Sequence, residues 1–127
     1  MANILIVDDE EDVRAFLKMY LEDHGYRVRC AENGHEGLEK LRSLETDLAI
    51  IDVIMPRQSG LYMYTEMKKS SSYSSIPVII LSAVVKYREY FEKGDNPLPP
   101  PEAFVEKPFD KEELLELLRT LIKKNGK

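Results

Sequence analysis

An α/β fold, with a parallel sheet and helices packed on both of its faces, is predicted by three features of the sequence. Short apolar blocks rich in β-branched residues alternate with helical periodicity from end to end. Three of those blocks are unbroken, as strands buried on both faces are, where half-exposed strands alternate. The length, 127 residues, is that of one ordinary domain with room for a core.

The elements follow in order. Ile4-Leu5-Ile6-Val7 is the first strand. Val13, Phe16, Leu17, Tyr20 and Leu21 recur at the spacing of one helix face, and Gly25 can end that helix. Arg27-Val28-Arg29-Cys30-Ala31 alternates, which suits an edge strand. Asn33-Gly34 opens a weaker helix marked by Leu38 and Leu41. Leu48-Ala49-Ile50-Ile51 is the third strand, and Leu61, Tyr64 and Met67 mark a helix after Gly60. Ser70-Ser71-Ser72-Tyr73-Ser74-Ser75 reads as a flexible polar connection. Val78-Ile79-Ile80-Leu81 is the fourth strand, followed by a helix over Val84 to Lys93. The stretch from Gly94 to Pro101 contains Pro99-Pro100-Pro101, which forbids helix and favours a stiff extended loop. Ala103-Phe104-Val105 is a short fifth strand. Leu114, Leu117, Leu118, Leu121 and Ile122 repeat the helical spacing; Asp110 and Glu113 open that helix, and Lys123 and Lys124 close it. Right-handed crossovers leave few topologies for five such units, and the flavodoxin-like strand order 2-1-3-4-5 is the expected one.

Composition excludes several function classes. Hydrophobic residues are 43% and charged residues 32%, a globular balance. The net charge of −5 argues against a basic nucleic-acid footprint. Apolar runs reach only about four residues, far from the roughly 20 that span a bilayer, so no membrane partner is expected. Met1-Ala2-Asn3-Ile4 has no basic leader, and the single Cys30 cannot form an internal disulfide. The expectation is a cytoplasmic single domain over residues 1–127.

Chemistry is sought where the strands end, because ligands of open α/β sheets sit outside the carboxyl edge, near the reversal of strand order. Asp8 and Asp9 follow the first strand, Asp52 the third and Ser82 the fourth, and Lys107 follows the fifth. Clustered carboxylates repel one another unless a cation lies between them. Oxygen ligands select a hard ion, Mg²⁺ first, with Mn²⁺ able to substitute. A lysine and a hydroxyl at the same edge suit a phosphoryl group, and a carboxylate there can itself be the nucleophile.

Taken together, Asp8-Asp9, then Asp52-Val53-Ile54-Met55-Pro56 with Gly60, then Ser82-Ala83, then Lys107-Pro108-Phe109, resemble the receiver domain of two-component response regulators over essentially the whole chain. The resemblance implies that Asp52 is phosphorylated by a histidine kinase or a histidine phosphotransfer protein. It implies that Asp9, Asp52 and the backbone carbonyl of Ile54 bind Mg²⁺ directly, and that Asp8 acts through a water on the ion. Lys107 then contacts the phosphoryl group, with a cis peptide bond to Pro108. Ser82 hydrogen-bonds a phosphoryl oxygen, and Phe104 changes rotamer with it, altering a surface read by a downstream protein. Ile54 and Val84 take the positions that tune hydrolysis; both are apolar and cannot orient a water, so slow self-dephosphorylation is expected. On this reading the chain is a signalling phosphoacceptor and not an enzyme, and it carries no output domain.

Other readings remain for these residues. Asp8 and Asp9 can serve as helix-capping charge, although Glu10, Glu11 and Asp12 already supply it. Ser82 can be a turn residue. His24 and His35 read as surface residues, Cys30 as a small apolar residue, and Met63 and Met67 as partly buried helix residues. Tyr87 and Tyr90 suit either the sheet or an exposed face, and Leu98 with the prolines suits a spacer or a docking edge. An aspartyl phosphatase of the haloacid-dehalogenase kind needs a second Asp where Ile54 stands. A receiver-shaped scaffold never phosphorylated in use is a further alternative, and so is a domain excised from a longer regulator.

Overall fold

The computed structural model describes residues 2–82 and 100–125. The elements are β1 (Asn3–Val7), α1 (Glu11–Asp23), β2 (Arg27–Ala31), α2 (Gly34–Ser43), β3 (Leu48–Asp52), a single 3-10 turn (Pro56–Gln58), α3 (Ser59–Lys69), β4 (Val78–Ser82), β5 (Ala103–Glu106) and α4 (Lys111–Asn125). The expected helix over Val84 to Lys93, together with Tyr87, Tyr90 and Leu98, lies outside the described residues.

All strand pairs are parallel, and the order is β2-β1-β3-β4-β5, as expected for a flavodoxin-like sheet. Successive strand side chains point to opposite faces, which is why β3 and β4 are apolar up to their last residues, Asp52 and Ser82. Leu5, Val7, Ala49, Ile51, Val78 and Ile80 face one side, where Leu38 and Leu41 of α2 and Met63, Tyr64 and Met67 of α3 cover them. Ile4, Ile6, Leu48, Ile50, Ile79 and Leu81 face the other side, under Leu17 and Leu21 of α1 and Leu114, Leu115 and Leu118 of α4. Each fully buried aliphatic side chain contributes roughly 1.5–3 kcal/mol. Two sandwiched layers of this kind hold the sheet rigid beneath its carboxyl edge.

The helix ends follow their local chemistry. Asn33 caps α2 by accepting the Glu36 N–H at 2.9 Å, and Glu36 in turn accepts the Glu32 N–H at 2.8 Å. Gly25 ends α1 at φ 92°, with its N–H on the Glu22 carbonyl and the Tyr26 N–H on that of Leu21. Asp110 accepts the N–H groups of Glu112 and Glu113, as its spacing predicts. Only part of the α1 stripe is core. Phe16 is 37% exposed; it stacks on Tyr20 at 5.9 Å and approaches Phe109 at 6.3 Å, forming an aromatic rim. The serine-rich segment is a hydrogen-bonded turn where a flexible connection was expected. Ser70 Oγ accepts the N–H groups of Ser72 and Tyr73, Ser74 N–H bonds the Ser70 carbonyl, and Tyr73 packs on the core.

Arg57, in the 3-10 turn, has φ 62°, the left-handed region that an L side chain enters at a cost of about 1–2 kcal/mol. Glycine enters it freely but loses more backbone entropy on folding. Arg57→Gly is therefore expected to raise the unfolding free energy by about 0.5 kcal/mol, seen as a higher urea midpoint at unchanged slope. A lower midpoint would show that the arginine side chain supports the loop.

Candidate functional site

The strand order reverses between β1 and β3, and the residues leaving their carboxyl ends meet there. Asp8, directly after β1, is 1% exposed, and Asp52, the last residue of β3, is 3% exposed. Each carboxylate is fixed by a backbone N–H two residues on: Asp8 Oδ1 accepts from Glu10 at 2.9 Å, and Asp52 Oδ1 accepts from Ile54 at 2.8 Å. This local turn is one that Asp makes readily after a strand, and it leaves the second oxygen of each side chain aimed inward.

Those second oxygens share one cation. Lys107 follows β5, and its N–H bonds the Ser82 carbonyl at 2.9 Å, which ties it to the end of β4. Its Nζ donates to Asp8 Oδ2 at 2.9 Å, to Asp52 Oδ2 at 3.2 Å and to Glu10 Oε1 at 2.8 Å. The Lys107–Pro108 peptide bond is cis. Carboxylate oxygens of Asp8, Glu10 and Asp52 all lie within 4.8 Å of one another.

Burial, with the Asp8 charge adding to it, pushes the Asp52 carboxyl up to about 6, against the Ile54 N–H and the Lys107 ammonium, which favour its ionised form. Burial alone would lower Lys107. Its hydrogen bonds with Glu10 and Asp8 and the Asp52 charge more than offset this, and it stands above the usual lysine value. The hydrogen bond from Lys107 holds Glu10 below the usual carboxylate range. Three carboxylates around one ammonium leave a local charge near −2. An all-oxygen donor set with that charge fits a hard divalent cation such as Mg²⁺.

The other residues singled out from the sequence sit as follows. Asp9 is exposed and lines a separate recess of about 340 Å³ with Glu32, His35 and Arg57. Ser82, at the end of β4, is 6% exposed; it and half-buried Phe104 line a common cavity of about 500 Å³. Ile54 is 37% exposed and touches Asp52 through its N–H. Val84 lies outside the described residues. Glu10 was legible only as helix-terminal charge. Nothing in its spacing separates it from Glu11 and Asp12, and only the reach of Lys107 from β5 singles it out. His24 is exposed and bonded through Nδ1 to the Tyr20 carbonyl, away from the site.

A doubly wound parallel sheet with buried carboxylates and a lysine at its switch point defines the flavodoxin-like proteins that carry an acidic pocket. Within that class the chain belongs to the response regulator receiver domain family, whose model matches residues 4–119. Curated relatives include Response regulator RR06 of Streptococcus pneumoniae, 42% identical over 65% of this chain and 36% of its own length. The transcriptional regulatory protein YkoG of Bacillus subtilis is 35% identical over 98% of this chain and 52% of its own. The chain thus spans about half the length, or less, of these relatives. Among solved structures, response regulator TrrA of Thermotoga maritima, in complex with Mg²⁺–BeF, is 36% identical. It superposes with a TM-score of 0.81, covering 95% of this chain and 99% of that one. Chemotaxis protein CheY4 of Vibrio cholerae is 31% identical, with a TM-score of 0.80 over 95% and 98% of the two chains. Among the described residues, no helix is long and apolar enough to cross a membrane.

Proposed function

We propose that residues 1–127 act as one receiver unit in which Asp52 takes a phosphoryl group from a histidine kinase or a histidine phosphotransfer protein. One observation carries this reading: the Asp52 carboxylate is buried at the switch point, with Oδ1 fixed by the Ile54 N–H and Oδ2 facing the Lys107 ammonium. With its carboxyl at about 6, Asp52 is largely ionised at neutral pH, as a nucleophile must be. An Asp52 oxygen attacks phosphorus, the phosphorus–nitrogen bond of the donor imidazole breaks, the imidazole leaves, and an acyl phosphate forms.

Asp9, Asp52 and the Ile54 carbonyl are the proposed direct ligands of Mg²⁺, with Asp8 acting through a water and Mn²⁺ as a substitute. The Asp9 carboxylate, outside the cluster of Asp8, Glu10 and Asp52, has to turn toward Asp52 to take its place. The bound ion supplies positive charge against the carboxylates and the incoming phosphoryl oxygens. Lys107 supplies the fixed counter-charge from the chain itself. The groove of about 750 Å³ beside it, lined by Val13, Phe16, Pro108 and Phe109, offers the donor protein an apolar seat. Ser82 and Phe104 are the proposed switch, passing the new charge to a surface read by a downstream protein. The chain catalyses only its own phosphorylation and dephosphorylation, in the cytoplasm, without direct nucleic-acid contact. Two relatives are named as transcriptional regulators, which makes control of transcription one reading for the output of the signal.

The experiment is intact mass after incubation with Mg²⁺ and acetyl phosphate. One hydroxylamine-labile phosphoryl adduct is expected, absent in Asp52→Asn and without Mg²⁺. It decays slowly, because apolar Ile54 and Val84 cannot orient a water. An adduct that persists in Asp52→Asn would place the acceptor elsewhere.

A further inference from the structure

An ammonium has three N–H donors. In Lys107 all three are taken, by Glu10 at 2.8 Å, Asp8 at 2.9 Å and Asp52 at 3.2 Å, so none is left for a phosphoryl oxygen. The three partners differ in what their release costs. Asp8 and Asp52 are buried, and until phosphorus bonds to Asp52 either one would become an unpaired charge in a dry site. The Glu10 side chain is 60% exposed, so water takes over its hydration at once. Its backbone is nevertheless held, because the Glu10 N–H bonds Asp8 Oδ1 at the mouth of α1, which keeps the carboxylate within reach of the lysine.

We infer that Glu10 is a displaceable counter-ion that occupies the very Lys107 donor an incoming phosphoryl group must claim while Asp52 is still charged. It rests on the phosphoryl-acceptor reading above. On phosphorylation the Glu10–Lys107 hydrogen bond breaks, a bond from Lys107 to a phosphoryl oxygen forms, and the Glu10 carboxylate turns into water. Glu10 is a positioning residue acting through Lys107: it holds the lysine in place before the donor arrives, and its hold sets how readily Asp52 is phosphorylated.

The test compares the parent chain with Glu10→Gln, using acetyl phosphate and Mg²⁺ and following the mass adduct at low and high potassium chloride. At low salt the variant is expected to react about two- to fivefold faster, the worth of one exposed ion pair. The gap closes at high salt, where an exposed pair is screened and buried ones are not. Equal rates at low salt overturn the inference. So does a slower variant rescued by extra Mg²⁺, which would make Glu10 a metal ligand. A second readout needs no phosphoryl transfer: NMR relaxation of the Lys107 Cε methylene in Mg²⁺-free protein. Its order parameter is expected to drop in Glu10→Gln, and an unchanged value overturns the inference. A parent chain that forms no adduct, while the methylene loosens in the variant, counts against Asp52 as acceptor and for the Glu10–Lys107 hold.

Discussion

Gly60→Ala is expected to lower the unfolding free energy by about 3 kcal/mol and to slow phosphorylation of Asp52 at least tenfold, although alanine is the better helix former. Gly60 lies in the first turn of α3, where the exchange ordinarily stabilises by roughly 0.5–1 kcal/mol. Here a Cβ would stand 2.0 Å from the Asp52 carbonyl oxygen, 3.0 Å from its carbonyl carbon and 2.9 Å from the Met55 methyl. A methionine methyl can swing aside, but the backbone of β3 cannot. Either α3 moves off the sheet or the end of β3 moves with Asp52. Overpacking costs 1–3 kcal/mol and occasionally more, and contact with backbone puts this case at the upper end. The same displacement moves the proposed nucleophile, and a shift near 1 Å is worth on the order of a hundredfold in rate. Gly25→Ala is the control: no atom lies within 4 Å of a Cβ there, so only its positive φ resists. Urea unfolding of both variants, with adduct formation in the folded fraction, checks the account. A Gly60→Ala chain as stable as Gly25→Ala would show that α3 has room to move.

Gly60 also marks how far the sequence could be read. Its place in the motif was legible, but the reason for it was not, because the approach of α3 to the Asp52 carbonyl, close enough that a Cβ at Gly60 would stand only 2.0 Å from it, belongs to tertiary packing. Strand order and both cores were legible because the unbroken apolar blocks admit only a sheet covered on both faces. The meeting of Asp8, Asp52 and Lys107 was legible for a related reason: a parallel sheet gathers its carboxyl ends on one edge. Short-range chemistry was harder. Ser70 looks like loop composition, yet its hydroxyl closes a turn on two N–H groups. Arg57 hides a left-handed residue behind a side chain that normally avoids one. Phe16 keeps the period of a core residue and sits on the rim, since the exposed edge of an apolar stripe has the same spacing as its centre. Glu10 was hidden by its neighbours, being one acid in a run of five.

In Mg²⁺-free protein, Lys107→Met is expected to lose about 3 kcal/mol of stability at pH 8 and much less at pH 5, with millimolar Mg²⁺ restoring most of the loss. Methionine keeps much of the stem volume and removes the charge, so the effect isolates the ammonium. Without it Asp8 and Asp52, 1% and 3% exposed, face each other uncompensated, and breaking a buried pair by removing one partner costs about 3–5 kcal/mol. The pH dependence follows from Asp52. Its carboxyl is raised to about 6 in the folded chain by burial, with the Asp8 charge adding to it, against about 4 when unfolded. Between those values the folded state holds a proton that the unfolded state has released, so stability falls as pH rises through the window. Removing Lys107 takes away a charge that opposes this rise, so the variant's folded value moves higher and the fall extends toward alkaline pH. At pH 5, below the folded value, the Asp52 carboxyl is already largely neutral in the folded chain with or without the lysine, and the missing ammonium matters little. Lys107 itself adds no slope at neutral pH, because it is raised above an already alkaline value and its contribution is lost only as pH passes that value. A divalent ion binds the folded site and not the unfolded chain, and so replaces the lost cation by mass action. Urea unfolding at pH 5 and pH 8, with chelator or with Mg²⁺, separates charge from packing. A loss that is the same at both pH values and indifferent to Mg²⁺ would mean that the lysine stem, and not its charge, holds the edge of the sheet together.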